Sequence, residues 1–126
     1  MNSVTKMRFI LLSYVLLVIL VSLVPTSGEP STWPVDKVGH FLAYAGMAVL
    51  ALFSFAALPA RLVALVAAAG LGALLEWGQS SIPGRDMSWI DELANVFGLL
   101  AGAAAFRFYG RILFEWARSR LGSRTS

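Results

Sequence analysis

The sequence predicts an all-α fold, a polytopic membrane protein built as a four-transmembrane-helix bundle. Hydrophobic residues fill 58% of its 126 positions and charged residues only 13%, about half the charged share of a soluble domain. A single soluble core of this size could not bury so much apolar surface. In addition, four largely uncharged runs divide the chain, and about 20 apolar residues suffice for a helix to cross a bilayer. We therefore interpret residues 1–126 as one membrane domain.

The first apolar run, Met7 to Val24, is predicted to be transmembrane helix 1. Lys6 and Arg8 lie at its start, as the basic residues of a cleaved signal peptide would, but the run is longer than a usual signal core. Three prolines and one glycine, Pro25, Gly28, Pro30 and Pro34, then mark a loop before the next run. The four predicted helices span about residues 7–24, 36–58, 61–81 and 89–118.

The segments around these helices carry their own predictions. Ser31 or Thr32 is a candidate cap for helix 2, and Pro59 with Arg61 is predicted to form the turn before helix 3. Beyond Phe108 the chain is amphipathic and rich in arginine. This pattern favours an anchor on anionic lipid over a nucleic-acid site.

The basic residues are divided unequally between the two sides of this bundle. The positive-inside rule places the richer side in the cytoplasm, so both termini are predicted to be cytoplasmic. The tryptophans should mark the membrane boundaries. The richer side holds Lys6, Arg8, Arg61, Arg107, Arg111, Arg118, Arg120 and Arg124, and the other Lys37 and Arg85. Trp33, Trp77 and Trp89 are predicted at the outer boundary and Trp116 at the inner one.

Polar residues collect at the opposite, outer ends of helices 2, 3 and 4. Residues three or four apart share one face of a helix, and a charged side chain at membrane depth should point inward and pair. We therefore predict a polar crater on the extracytoplasmic side of the bundle. Its members are Asp36, Lys37, His40 and Tyr44 on helix 2, Glu76 and Gln79 on helix 3, and Arg85, Ser88, Asp91 and Asn95 around the start of helix 4.

The same residues resemble a known family. The chain reads Asp36-Lys37-x-x-His40-x-x-x-Tyr44, then Glu76-x-x-Gln79, then Gly84-Arg85-x-x-Ser88-x-x-Asp91-x-x-x-Asn95-x-x-Gly98-x-x-x-Gly102. Each motif alone is a weak signal, but three of them in this order, each at a matching helix end, resemble the pattern of the VanZ-like family. That family of small bacterial membrane proteins is named for an accessory protein of glycopeptide-resistance clusters that raises resistance to teicoplanin. The resemblance covers about half the chain and implies a polytopic bacterial membrane protein without implying a particular reaction.

The crater suggests proton chemistry on an anionic, lipid-linked or cell-envelope substrate. His40 is the candidate acid or base, with Asp91 or Glu76 as its carboxylate partner. Arg85, in a loop before a helix N-terminus, and Lys37 are candidate anion ligands. The remaining candidates, Asp36, Tyr44, Gln79, Ser88 and Asn95, are assigned to substrate binding or support.

Several alternatives remain open at this level. Ser88 can be a helix N-cap instead of a nucleophile, and Glu76 can form a structural ion pair with Arg85 or Lys37. The crater can also bind a membrane lipid, a lipid-linked cell-wall precursor, a phospholipid or a partner protein without catalysis. A proton-coupled transporter is disfavoured because the inner halves of the helices carry few polar residues. A metal site with Glu76, Asp91, Asp36 and His40 as ligands is a further alternative. One histidine and no cysteine disfavour tight zinc binding, and no metal or other cofactor is predicted.

Overall fold

The computed structural model is all-helical over the residues that it describes, 3–25, 35–83, 85 and 87–122, with side chains for all of these except 3, 111 and 113–122. Four helices account for most of this part of the chain, and it contains no strand. All four are long and apolar enough to cross a membrane. They are α1 (Ser3–Ser22), α2 (Val35–Ser54), α3 (Leu58–Gln79) and α4 (Trp89–Gly122).

The second helix ends earlier, and the third begins earlier, than the sequence pattern indicates. Pro59 and Arg61 were predicted to form a turn, and this prediction is wrong, because both lie inside α3. Proline is favoured in the first turn of a helix, where its missing N–H has no partner to lose. The connection is made by residues 55–57 instead. The predicted caps Ser31 and Thr32 lie outside the described residues.

The closest helix pair is α2 and α4, which form the most extensive contact in the bundle. Gly98 and Gly102 make this approach possible, because a Cβ on either glycine would overlap a backbone carbonyl oxygen of α2, that of Phe41 or Ala45. Small residues allow such close packing in membranes. Both α4 glycines press against α2, whereas Gly70 of α3 has open space around it.

Arginines gather at one end of the bundle, which we call the arginine end (Arg8, Arg61 and Arg107). Arg8 Nε donates to the carbonyl oxygen of Ser54 at 3.3 Å, and Arg61 Nε donates to that of Phe55 at 2.7 Å. These bonds satisfy acceptors at and just beyond the C-terminus of α2, which lack helical partners. The guanidinium of Arg61 also lies over the Phe106 ring, 5.2 Å from its centroid.

The first helix packs less closely than the others and leaves most of its apolar side chains exposed. It is tied to α2 by the Tyr14 hydroxyl, which donates to the carbonyl oxygen of Ala43 at 3.0 Å. Gly46 provides room for this phenol, since a Cβ there would lie 2.8 Å from the hydroxyl oxygen. Exposed apolar surface on a helix of this hydropathy is what lipid contact requires. Trp77 and Trp89 are also largely exposed, whereas Trp33 and the Trp116 side chain lie outside the described residues.

Candidate functional site

The end of α3 and the beginnings of α2 and α4 meet at the end of the bundle opposite the arginine end. Buried polar residues from all three helices contact one another there, although such groups are costly in an apolar setting unless they are paired. We call this group the polar cluster and define it by Asp36, Lys37 and His40 on α2, Glu76 on α3, Ser88 before α4, and Asp91, Glu92 and Asn95 on α4.

Lys37 supplies the positive charge on one side of the polar cluster. Its ammonium contacts Asp91 Oδ1 and lies 3.3 Å from Asp36 Oδ2. It also donates to Ser88 Oγ at 3.5 Å. The ammonium therefore bridges the first turns of α2 and α4 and offsets the charge of the Asp91 carboxylate, whose side chain is only 8% exposed.

His40 occupies the centre of the polar cluster, between α3 and α4. Its Nδ1 lies 3.0 Å from Asn95 Oδ1 and 3.7 Å from Glu76 Oε1. The other ring nitrogen, Nε2, lies 3.9 Å from Asp36 Oδ1. Of the two carboxylates considered as partners of His40, Glu76 is the one that faces the ring, while Asp91 is engaged by Lys37.

Glu76 is the most deeply buried carboxylate among the described residues of the cluster, with 2% of its surface exposed. Its Oε2 accepts a hydrogen bond from the backbone N–H of Ser88 at 3.2 Å. Arg85 and Lys37, the two cations considered for it, instead contact Val24 and Asp91. The carboxylate thus fixes the chain entering α4 and leaves its second oxygen toward His40.

Ser88 acts as the N-cap of α4, the alternative to a nucleophile that the sequence left open. Its Oγ accepts a hydrogen bond at 3.3 Å from the backbone N–H of Asp91, which lies three residues after Ser88. This geometry satisfies one of the donors left free at a helix start. The cap places Asp91 in the first turn of α4, against Lys37.

A cavity of about 440 Å³ opens beside the polar cluster, between α1 and α2. Its apolar walls come from α1, chiefly Leu17, Val18 and Val21, and from Val35 and Ala43 of α2. Polar groups line it too, and two of them, Asp36 and His40, also belong to the polar cluster. The polar lining residues are Tyr14, Ser22, Asp36, His40, Tyr44, Gln79 and Arg85.

Three predicted site residues line this cavity from outside the polar cluster. Gln79 donates to the carbonyl oxygen of Ser22 at 3.0 Å, and Arg85 Nε donates to that of Val24 at 3.0 Å. These bonds attach the end of α1 to the end of α3 and to the loop before α4. The hydroxyl of Tyr44 is buried and has no hydrogen-bond partner among the residues that the structure describes, although a buried hydroxyl ordinarily has one.

Glu92 is the member of the polar cluster that is absent from the predicted crater. Its Oε2 accepts a hydrogen bond from Asn95 Nδ2 at 3.1 Å. Gly72 of α3 makes room for it, because a Cβ there would lie 2.6 Å from Glu92 Oε2 and 3.0 Å from Asn95 Nδ2. An acid three residues before a buried asparagine on one helix face was the available signal.

Three ligand atoms of the polar cluster are close enough to hold a cation. Single atoms of Asp36, His40 and Asp91 all lie within 4.8 Å of one another. The ammonium of Lys37 already lies against two of these residues, so a metal ion would compete with a built-in positive charge. The donor set therefore gives no support for a resident metal.

Comparison of the chain with protein-family models, curated proteins and solved structures finds no significant match. What the residues can do therefore follows from their chemistry. A histidine between carboxylates can accept and return a proton, and a guanidinium at the rim of a cavity can hold an anion. Both groups border the same cavity.

Proposed function

We propose that this chain is a VanZ-like integral membrane protein whose polar site binds an anionic substrate that is lipid-linked or part of the cell envelope. One observation supports this most directly. The cavity beside the polar cluster is lined by His40, Asp36 and Arg85 on one part and by the apolar face of α1 on another. A ligand with a charged head and a hydrocarbon tail matches both parts of that lining.

The orientation belongs to the same proposal. Lys6, Arg8, Arg61 and Arg107 lie toward the arginine end, and the polar cluster lies toward the other. Under the positive-inside rule the arginine end faces the cytoplasm. Both termini are then cytoplasmic, and the polar cluster faces outward in a bacterial plasma membrane, where envelope lipids and their precursors are accessible.

Arg85 is the proposed ligand for the anionic head group. A guanidinium has five N–H donors in a planar fork that matches phosphate and carboxylate oxygens. The Nε–H donor binds Val24, which fixes the side chain at the cavity rim. Lys37 was the other candidate, but its ammonium is engaged by two carboxylates, so we assign it to holding the site together.

Proton transfer at His40, assisted by Glu76, is the proposed chemistry. The ring lies at the cavity wall with Glu76 Oε1 3.7 Å behind it, an arrangement suited to activating water or a substrate hydroxyl. The bond attacked would be an ester, a phosphoester or an amide. Non-catalytic binding of a lipid or partner is the second candidate, favoured by the use of Ser88 as a helix cap rather than a nucleophile.

Glycopeptide susceptibility of bacteria expressing the protein tests this proposal. We expect the wild-type chain to raise resistance to teicoplanin, and Ala at His40, Glu76, Arg85 or Asp91 to return resistance to the level without the protein. Arg107→Ala is the matched control, because Arg107 is exposed and lies far along α4 from the cluster. Protein in the membrane fraction is measured for every variant.

Unchanged resistance in stably expressed cluster variants, or no effect of the wild-type chain, would contradict the proposal. The His40→Gln variant distinguishes catalysis from binding alone. Loss of resistance with the lipid still bound indicates catalysis, whereas full resistance with the lipid bound indicates binding alone.

A further inference from the structure

Three side chains form a continuous hydrogen-bonded line from α4 to α2. Glu92 Oε2 accepts from Asn95 Nδ2 at 3.1 Å, and Asn95 Oδ1 lies 3.0 Å from His40 Nδ1. Asn95 is 1% exposed, so water cannot readily replace either partner. The proposed function uses His40 but gives no role to Glu92.

The chemistry of this line fixes the direction of each hydrogen bond. An ionised carboxylate only accepts, so the NH₂ group of Asn95 must face Glu92, and the amide oxygen must then face His40. An amide oxygen is also only an acceptor. His40 Nδ1 must therefore carry a hydrogen and donate it, because a bare nitrogen there would leave two acceptors facing each other in a buried site.

The two other carboxylates near the ring face different nitrogens, and only Glu76 acts in the same direction as Asn95. Glu76 Oε1, 3.7 Å from Nδ1, favours a hydrogen on that nitrogen. Asp36 Oδ1 lies on the Nε2 side at 3.9 Å, but Asp36 also faces the ammonium of Lys37, which weakens its pull on a proton at Nε2. Nδ1 of the ring is therefore hydrogen-bonded to Asn95 of α4. Nε2 lies on the side of Asp36, which lines the cavity.

We propose that Glu92 is a positioning residue that acts through Asn95 to hold His40 in its Nδ1–H form, leaving Nε2 as the nitrogen that exchanges a proton with the cavity. A neutral histidine in water favours the opposite tautomer, with hydrogen on Nε2, and a hydrogen bond at one nitrogen decides the form in a protein. The use of this proton in a reaction rests on the proposed function, whereas the assignment of the tautomer rests only on the geometry around the ring.

The tautomer can be read without any substrate, because His40 is the only histidine in the chain. The protein is labelled with ¹⁵N-histidine, placed in lipid nanodiscs, and its imidazole nitrogens are recorded by NMR over a range of pH. We expect the neutral ring to show a protonated Nδ1 and an unprotonated Nε2. In Glu92→Gln the neighbouring side chain can donate as well as accept, so Asn95 can turn over and the Nε2–H form should gain population.

A matched pair of glycine variants tests the same link with the Glu92 charge retained. The Cβ of Gly72→Ala would lie 2.6 Å from Glu92 Oε2, so the carboxylate must move, and the Nε2–H form should increase. Gly70→Ala, two residues away in open space, should keep the wild-type pattern. This pair tests whether Glu92 sets the tautomer of His40 even if the Glu92→Gln variant does not fold.

A wild-type ring that carries its neutral hydrogen on Nε2 would overturn the proposal. So would a ring protonated at both nitrogens over the whole pH range in which the protein is folded, or Gly72→Ala spectra identical to wild type. These outcomes are independent of resistance and lipid binding. The tautomer can hold while the proposed function fails, and a lipid can bind while the tautomer assignment fails.

Discussion

Gly98→Ala is expected to separate α2 from α4 and to destabilise the folded protein by about 3 kcal/mol, at the upper end of the range for overpacking. The added Cβ would overlap the carbonyl oxygen of Phe41. A backbone carbonyl within a helix cannot turn aside as a flexible side chain can, so the helices themselves must move. In a membrane, close packing is a main source of helix association, and this pair has the most extensive contact in the bundle.

The polar cluster should be lost together with that packing. Lys37 and His40 on α2 contact Asp91 and Asn95 on α4, so a separation of the helices would break both contacts. The measurement is reversible unfolding in bicelles, with Gly70→Ala as the control. That substitution meets no atom within 4 Å and should be neutral or stabilising by up to about 1 kcal/mol, since alanine favours helix. Equal stability of the two variants would contradict the packing described for α4.

Lys37→Met is the second substitution expected to have a large effect. It removes the ammonium that contacts Asp91 and lies 3.3 Å from Asp36. Breaking a buried pair by removing one partner costs about 3–5 kcal/mol because the other charge stays buried. We expect about 3 kcal/mol here, at the lower end of that range, since 19% of the Lys37 side chain is exposed.

A double-mutant cycle gives this prediction its control. Lys37→Met combined with Asp91→Asn should be less destabilised than Lys37→Met alone, because the unpaired carboxylate is then neutral. Lys6→Met removes an exposed lysine on α1 and should change stability by no more than about 0.5 kcal/mol. Additive effects of the two cluster substitutions would show that Lys37 and Asp91 do not interact.

The helices were predictable because bilayer thickness sets their length and the loops between them carry turn residues. The grouping of Asp36, His40 and Asp91 was predictable for a related reason. Charged residues at helix ends three or four positions apart must face inward together when lipid surrounds the bundle. The structure brings these three within one small volume.

The details inside the cluster depend on features that sequence spacing does not encode. A small-residue pattern predicts that Gly98 packs closely, but the neighbour it meets depends on how the helices are arranged. Whether Glu92 and Asn95 face His40 depends on the rotation of α4 about its axis, and whether Glu92 fits there depends on the space above Gly72. The cavity was missed because most of its α1 wall is apolar, with Tyr14 as one of the few polar residues on that wall.

Native mass spectrometry tests most directly whether the cavity beside the polar cluster binds an anionic lipid, as we propose. The protein is purified from nanodiscs containing equal amounts of phosphatidylglycerol and phosphatidylcholine, and lipid retained by each variant is counted. We predict that wild type and Arg107→Gln retain one phosphatidylglycerol in preference to phosphatidylcholine, and that Arg85→Gln loses this preference. Equal retention of the two lipids by the wild-type protein, or the same preference in Arg85→Gln as in Arg107→Gln, would contradict the claim.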